Sequence, residues 1–597
     1  MARRKIEKAA LASLIRESKE LSNDQKADLL QLLNEQKRYG LVWEEHKEEA
    51  EELLKENIPV LVEEARKRII SSPRRGQEGA DHILIEGDNL HALTALTYTH
   101  EGKVDVIYID PPYNTGNKDF VYNDSYVDSE DGYRHSKWLS FMEKRLRIAK
   151  KLLSDKGVIF ISIDDNEQAN LKLLCDEVFG EKNQIASFCW KTDGNFDNQA
   201  KVKICHEYIF LISKDLTRFE APPVIDPNIP ANSKIYNSQI RNTVVKNGPK
   251  NPIGDISIPA GFPCDLENGI IFKGTIMWPQ YSEDIIIQNG LTKNSVVATS
   301  GWASAGQLTE FIDRGFKDVI DSKGQSTRFV ISKSGAIESI KDRGLPSHVI
   351  SVLQNFGGPQ KAAVDLCGLS DKFNYPKPVM LLKYLISMQS SKCSTILDFF
   401  AGSGTTLHAT MQLNAEDGGH RKCILVTNNE NNICEEVTYE RNKRVINGYT
   451  TPKGINVPGL TNNNLRYYKT AFVPREKTAA NRRKLMQMAT DMLCIKENMY
   501  NEQPFEIDGK KMKPEFVRYF VSDTKDMIII YDPRAIAFVA KALPHDSQKK
   551  MMVYVYSDGQ YAYNDEFRGK NIELCALPDA ICQALSRVLP IQKEVAL

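Results

Sequence analysis

The chain of 597 residues has no surplus of either charge, with 78 lysines and arginines against 78 aspartates and glutamates. A polyanion-binding field over the whole molecule is therefore excluded, and any contact with nucleic acid must come from local patches. Its eleven cysteines are scattered, without a C-x-x-C pair or a Cys/His cluster at zinc spacing. That pattern argues for reduced thiols and against a disulfide framework or a structural metal. No apolar run approaches the roughly 18 residues that span a bilayer. The opening text "MARRKIEKAALASLIRESKE" carries basic residues but no uninterrupted apolar core. A soluble, cytoplasmic protein with no membrane contact is expected. No G-x-x-x-x-G-K-[ST] sequence occurs, so a phosphate cradle of the ATPase kind is not expected, and neither internal repeats nor low-complexity tracts are present.

What is present divides the chain into several units, as its length requires. Residues 1–75 read as a charged helical arm, with Ser22 three residues before Gln25 as a capping box and "SSPRRGQEG" as the linker that follows. Its charge runs suit solvated faces, or an oligomer or partner contact. Over residues 76–213 short apolar strands alternate with amphipathic helices. "HILIEG", "VDVIYI", "GVIFISI" and "HEYIFLIS" are strand text, and the helix between the second and third places Trp138, Met142, Leu146, Ala149 and Leu153 on one face. Such alternation predicts a parallel sheet covered on both faces. Residues 214–357 change to Gly-, Pro- and Asn-rich text with short strands, a different domain. Strand, glycine turn and helix return over residues 358–458, so one sheet domain is split by a long insertion. Residues 459–597 form a C-terminal α+β unit, a possible oligomer or partner contact.

In open α/β sheets ligands bind beyond the carboxyl ends of strands, and two such ends stand out. In "FFAGSGTT", Phe399 to Thr406, Gly402 and Gly404 let the backbone turn sharply and approach a ligand, while the following helix offers free amides. Alone this turn also fits a purely structural role. In "YIDPPYNTG", Asp110 follows its strand as an acceptor. Pro111 and Pro112 remove two amide donors and leave their carbonyls free to face a cleft, and Tyr113 adds a flat aromatic surface. Two acceptors beside a stacking face suit a planar base whose exocyclic amine carries two N–H donors.

"DPPY" together with "FAGSGTT" resembles the S-adenosylmethionine-dependent amino-methyltransferases that act on exocyclic amines of DNA bases. The order of catalytic motif, long insertion and cofactor motif is similar to the β class, whose insertion is the target-recognition domain. "LIEGDNLHAL", "DPPYNTG", "GVIFISIDDNE", "DEVFGEKN", "HEYIFLISK", "YPKPVMLLKYLI", "FFAGSGTT" and "VTNNENN" together resemble the modification subunits of Type III restriction-modification systems over about residues 80 to 450. The resemblance implies a Rossmann-like methyltransferase sheet that binds S-adenosylmethionine and acts on the N6 amine of an adenine in double-stranded DNA. Asp110 and the Pro111 carbonyl would accept the amine hydrogens, with Pro112 completing the turn, and Tyr113 would stack on a flipped-out base. Phe400, Ala401, Gly402 and Gly404 would line the methionine end of the cofactor, with Asp398 near its amino group. Glu430 would meet the ribose, Asp88 the adenine ring, and Lys377 the cofactor carboxylate. Asp88 also suits a helix cap, Glu430 a solvated loop and Lys377 an ordinary surface position.

Asp164 and Asp165 match the family motif and are not expected to hold a metal, since methyl transfer needs none. His206 and Glu207 open a strand and read as structural rather than as an acid-base pair. In the insertion, Arg241, Lys246, Lys250, Trp278 and Trp302 are candidates for phosphate and base contacts. The resemblance also implies a homodimer and a separate helicase-nuclease restriction subunit. Methylation of cytosine N4, a catalytically silent recognition subunit, or methylation of RNA or a protein glutamine are the alternatives.

Overall fold

The computed structural model describes residues 43–71, 79–116, 120–122, 125–192, 201–321, 324–342, 347–358, 362–364, 366–451, 453–543, 549–557, 563–568 and 571–589. It divides into two units, Ala221–Ile350 and the rest of the chain. The larger unit is built on a ten-stranded sheet of β1 (Asn57–Glu63), β2 (Ala80–Glu86), β3 (Val104–Ile109), β4 (Leu153–Ile163), β5 (Gln184–Lys191), β6 (His206–Ser213), β7 (Val352–Leu353), β8 (Thr395–Asp398), β9 (Lys422–Thr427) and β10 (Asn463–Pro474). Their spatial order is β1-β10-β2-β9-β8-β3-β4-β6-β5-β7. Strands β8 and β9, from beyond the insertion, thus lie between β2 and β3, from before it. The sheet is one structure assembled from both sides of the smaller unit.

Local sequence explains the sheet's burial. In β3 Val104, Val106, Ile107, Tyr108 and Ile109 are all buried, and because successive strand side chains point to opposite faces, buried neighbours require cover on both. On one face Ile107, Ile109, Ile159 and Ile161 share a core with Leu93, Met142, Leu146 and Leu174 of three helices, Asn89–His100, Arg134–Leu152 and Gln168–Phe179. Leu153, read as the end of the second helix's apolar stripe, is the first residue of β4.

Three sequence expectations need correction. The sheet is mixed rather than parallel, because β1 is antiparallel to β10, and β6 is antiparallel to both β4 and β5. Residues 1–75 are not helical throughout, since the helix Glu49–Glu56 runs directly into edge strand β1. The capping box at Ser22 and Gln25 lies outside the described residues, as do residues 72–78 of the linker. The text after Gly459 does not begin a separate domain, because β10 lies inside the sheet between β1 and β2, parallel to β2. Beyond it, a sheet of five strands places Phe520, Met527 and Tyr554 in the same core as Leu93. A strand's sheet neighbours come from distant sequence, so local periodicity gives no sign of them.

The smaller unit holds short antiparallel strands, among them Gln239–Thr243, Ser326–Ile331 and Ile337–Asp342, and the helix Ala305–Asp313. Its core is formed by Phe262, Phe311, Phe329, Ile331 and Trp302. Among the described residues no helix is long and apolar enough to cross a membrane, and no group of three His, Cys, Asp or Glu side chains is placed to hold a metal.

Candidate functional site

The chain leaves β3 towards β4 on one side of the sheet and leaves β8 towards β9 on the other. β3 and β8 are themselves neighbours, with Ile396 opposite Val106 and Leu397 opposite Ile107. Such a reversal opens a crevice at the carboxyl ends of the two strands. Asp110 follows the last residue of β3 and Asp398 is the last of β8, so the two motifs, far apart in sequence, face one another. A cleft of ≈ 900 Å³ joins them, lined by Asp110 to Tyr113 on one side, Phe400 and Gly402 on the other, and Lys377.

The Asp110 side is a charged cluster. The Lys377 ammonium lies 3.0 Å from Asp110 Oδ1 and 3.0 Å from Glu207 Oε2, and donates to the Tyr113 hydroxyl at 2.8 Å. That hydroxyl in turn lies 2.9 Å from Asp110 Oδ1 and 2.9 Å from Glu207 Oε2. Burial pushes the Asp110 carboxyl above the usual carboxylate range, opposed by the charge of Lys377. For Lys377 burial works downward, and the combined charge of Asp110 and Glu207 outweighs it and holds the ammonium above its ordinary range. Lys377, assigned on sequence to the cofactor carboxylate, is therefore engaged with the acceptor Asp110.

The prolines behave differently from each other. The Pro112 carbonyl, expected to be free, accepts from the Trp138 indole N–H at 2.7 Å, which anchors the turn to the helix Arg134–Leu152. Among the described residues no donor reaches the Pro111 carbonyl. Next in the loop, Asn114 is fully buried at φ 59° and donates to Glu167 Oε1 at 2.5 Å. Glu167, itself buried, also accepts from Asn170 at 2.8 Å and lies 2.6 Å from His135 Nδ1. The acceptor loop is thus held from beneath at two points.

On the other side, Gly404 caps the helix Thr405–Asp417 at φ 74°. A Cβ there would collide with the Asn442 side chain and stand 3.0 Å from Thr438 Cγ2, so the turn requires glycine. Gly402 has φ 48°, and its carbonyl accepts from the Thr438 hydroxyl. Ala401 is buried beside it. Asp398, expected near a ligand amino group, is buried and accepts from the Phe400 amide at 3.0 Å and the Thr406 hydroxyl at 2.5 Å. Burial lifts its carboxyl from 3.8 to about 7 in spite of those bonds. Asp88 caps the helix Asn89–His100, accepting from the Leu90 amide at 2.8 Å, and lies 3.6 Å from the buried Arg145 guanidinium. Glu430 is exposed on the turn after β9.

Sequence reasoning missed Glu207. With His206 it was read as the opening of a strand, structural rather than an acid-base pair; in a parallel strand its position would be the far edge. Being antiparallel, β6 starts at the carboxyl edge, with Tyr208 opposite Ile163 and Glu207 opposite Trp190. Trp190, Phe373 and Tyr375 also line the cleft and were not predicted. A charged residue at the start of an otherwise apolar strand was the available signal for Glu207.

Two of the nucleic-acid candidates in the smaller unit are used otherwise. Trp302 is part of the core and donates its indole N–H to the Gly254 carbonyl at 2.8 Å. The Arg241 guanidinium is bound by Asp265 and by Glu338, the latter at 2.9 Å, so its charge is neutralised locally. Lys246 and Lys250 are exposed and Trp278 is half-buried.

A family model described as DNA methylase matches residues 104–440. The Mod subunit of the Type III restriction-modification enzyme StyLTI of Salmonella typhimurium is 33% identical over 382 residues, covering 59% of this chain and 53% of that protein. The EcoPI Mod subunit of Escherichia phage P1 is 30% identical over 395 residues, covering 59% of this chain and 58% of that protein. The Type II methyltransferase M.KpnI of Klebsiella pneumoniae is 30% identical over 391 residues, with 61% of this chain and 84% of that protein covered. The match spans little more than half the length of the two Mod subunits.

Proposed function

The chain belongs to the DNA methylase family, and from that membership we propose that it transfers a methyl group from S-adenosylmethionine to the N6 amine of a flipped-out adenine at a specific site in duplex DNA. We infer further that it acts as the modification and recognition subunit of a Type III restriction-modification system, since two of its relatives are named as Mod subunits of such enzymes. The observation that carries the reading is the meeting of the Asp110 acceptor loop and the Gly402–Gly404 turn in one cleft at the strand reversal.

The residues present suit the methyl donor. A side chain at Gly402 would stand 3.5 Å from the Phe373 ring, on a wall of the same cleft, so the glycine leaves that surface open to a ligand. Asp88, Phe400, Ala401, Gly402 and Gly404 would hold the donor, with Asp398 bracing the turn. When bound, the donor supplies an electrophilic methyl on a sulfonium, which needs only an amine lone pair in line with it.

The chain's own part is to prepare that lone pair. Asp110 and the Pro111 carbonyl accept the two amine hydrogens, drawing the nitrogen towards tetrahedral geometry, and Tyr113 stacks on the base. The fixed positions of the acceptors, set by Trp138 and Asn114 beneath the loop, make this a preorganised electrostatic site. The unit Ala221–Ile350 serves as the target-recognition domain, with Lys246, Lys250 and Trp278 for contacts to duplex DNA.

Replacing Asp110 by alanine separates binding from chemistry. Methyl transfer in Asp110→Ala is expected to fall by about 10³-fold while DNA affinity stays within about threefold. Parallel loss of binding and transfer would count against the assignment.

A further inference from the structure

Within the cluster at the end of β3, one ammonium serves two carboxylates. Lys377 is 3.0 Å from Asp110 and 3.0 Å from Glu207, and its side chain is only 10% exposed. The Tyr113 hydroxyl lies 2.9 Å from each carboxylate and accepts from Lys377. Its single hydrogen can bond only one carboxylate at a time. By formal charge the cluster holds one acid more than it has base to match. A half-buried surplus charge is costly to maintain, and a simple scaffold pair would have needed only Asp110 and Lys377. The surplus member is Glu207, delivered to the cleft by the antiparallel β6 opposite Trp190.

Taking the cleft as a methyl-transfer site, on which this rests, we infer that Glu207 is a positioning residue. Its carboxylate fixes Lys377 and Tyr113 around Asp110, and its surplus charge favours the sulfonium donor over the neutral thioether product. The donor carries a positive charge at sulfur that the product, S-adenosylhomocysteine, has lost. Apart from the transferred methyl itself, all other groups of the two molecules are shared, so contacts to the common carboxylate cancel in a comparison of the two. A half-buried negative cluster therefore acts chiefly on the difference in charge. It holds the charged donor until transfer and weakens its grip once the charge has gone.

The test is the ratio of dissociation constants for S-adenosylmethionine and S-adenosylhomocysteine, measured calorimetrically on the full chain and on Glu207→Gln, Glu207→Asp and Lys377→Met. Glu207→Gln keeps the shape and removes the charge, and is expected to raise the donor-to-product ratio about tenfold. Glu207→Asp keeps the charge and should remain within about threefold of the parent. Lys377→Met leaves both acids and should not raise the ratio, which separates charge from general damage and does not depend on Glu207→Gln folding. Equal weakening of both ligands by Glu207→Gln, or a raised ratio in Lys377→Met, overturns the inference while leaving the methyl-transfer site intact. A parent protein that binds neither ligand overturns that reading of the cleft, and this inference with it.

Discussion

Asp398 ends β8 with its carboxyl buried, and burial lifts that carboxyl from 3.8 to about 7 while bonds from Thr406 and Phe400 pull the other way. A native group with a raised pKa binds its proton more tightly than the unfolded chain does. The stability this contributes is fully present below about pH 4 and is lost as pH rises through about 7. A shift of that size corresponds to ~4 kcal/mol as an upper bound. Asp398→Asn cannot titrate, so the melting temperature of the parent relative to this variant is expected to fall from about pH 4 to about pH 7 and to level off above it. A difference that stays constant across that range would show that Asp398 is ionised throughout. The same residue illustrates what a motif leaves unsaid, since its text marks the end of a strand but not that both carboxylate oxygens are spent holding the turn.

At the scale of elements, the glycine turn and the acceptor loop each depend on one tightly held corner. Gly404→Ala places a side chain at φ 74° against Thr438 and Asn442. The left-handed conformation alone costs about 1–2 kcal/mol, and the collision must shift the turn that lines the cleft. Donor affinity is expected to fall at least about tenfold together with the melting temperature. Gly418, at the other end of the same helix with φ 68° and open space around it, serves as the control. Gly418→Ala should cost stability by a similar conformational amount and leave donor affinity unchanged, as fluorescence titration would show. Loss of affinity in both variants would point to the helix rather than to the turn.

Both corners were legible because strand, turn and helix signals are local. "VDVIYI" before Asp110 and "TILDFF" before Gly402 announce their own ends. What was not legible depends on neighbours far along the chain. Glu207 reaches the cleft only because β6 reverses direction, and β10 joins the sheet beside β2 across more than three hundred residues. Arg241 and Trp302 looked available because their partners, Glu338 and Gly254, lie 97 and 48 residues away. Residue type indicated what these side chains could bind, and the fold decided that they were already bound.

For the whole molecule, the two units and the neutral overall charge divide the work. On the proposed function, a chain without a global positive field would find DNA through local contacts, with the unit Ala221–Ile350 supplying specificity and the ten-stranded sheet the chemistry. The sheet is continuous across the insertion, so the loop at Asp110 before it and the glycine turn after it stay in fixed register. On the proposed function this register serves methyl transfer to an adenine. The most direct measurement is to incubate the purified protein with unmethylated plasmid and S-adenosylmethionine, then map modified bases by single-molecule sequencing. N6-methyladenine is expected at one short sequence, on one strand, and none with Asp110→Ala. Methyl groups on cytosine, or none on any DNA under conditions where the donor binds, would contradict it.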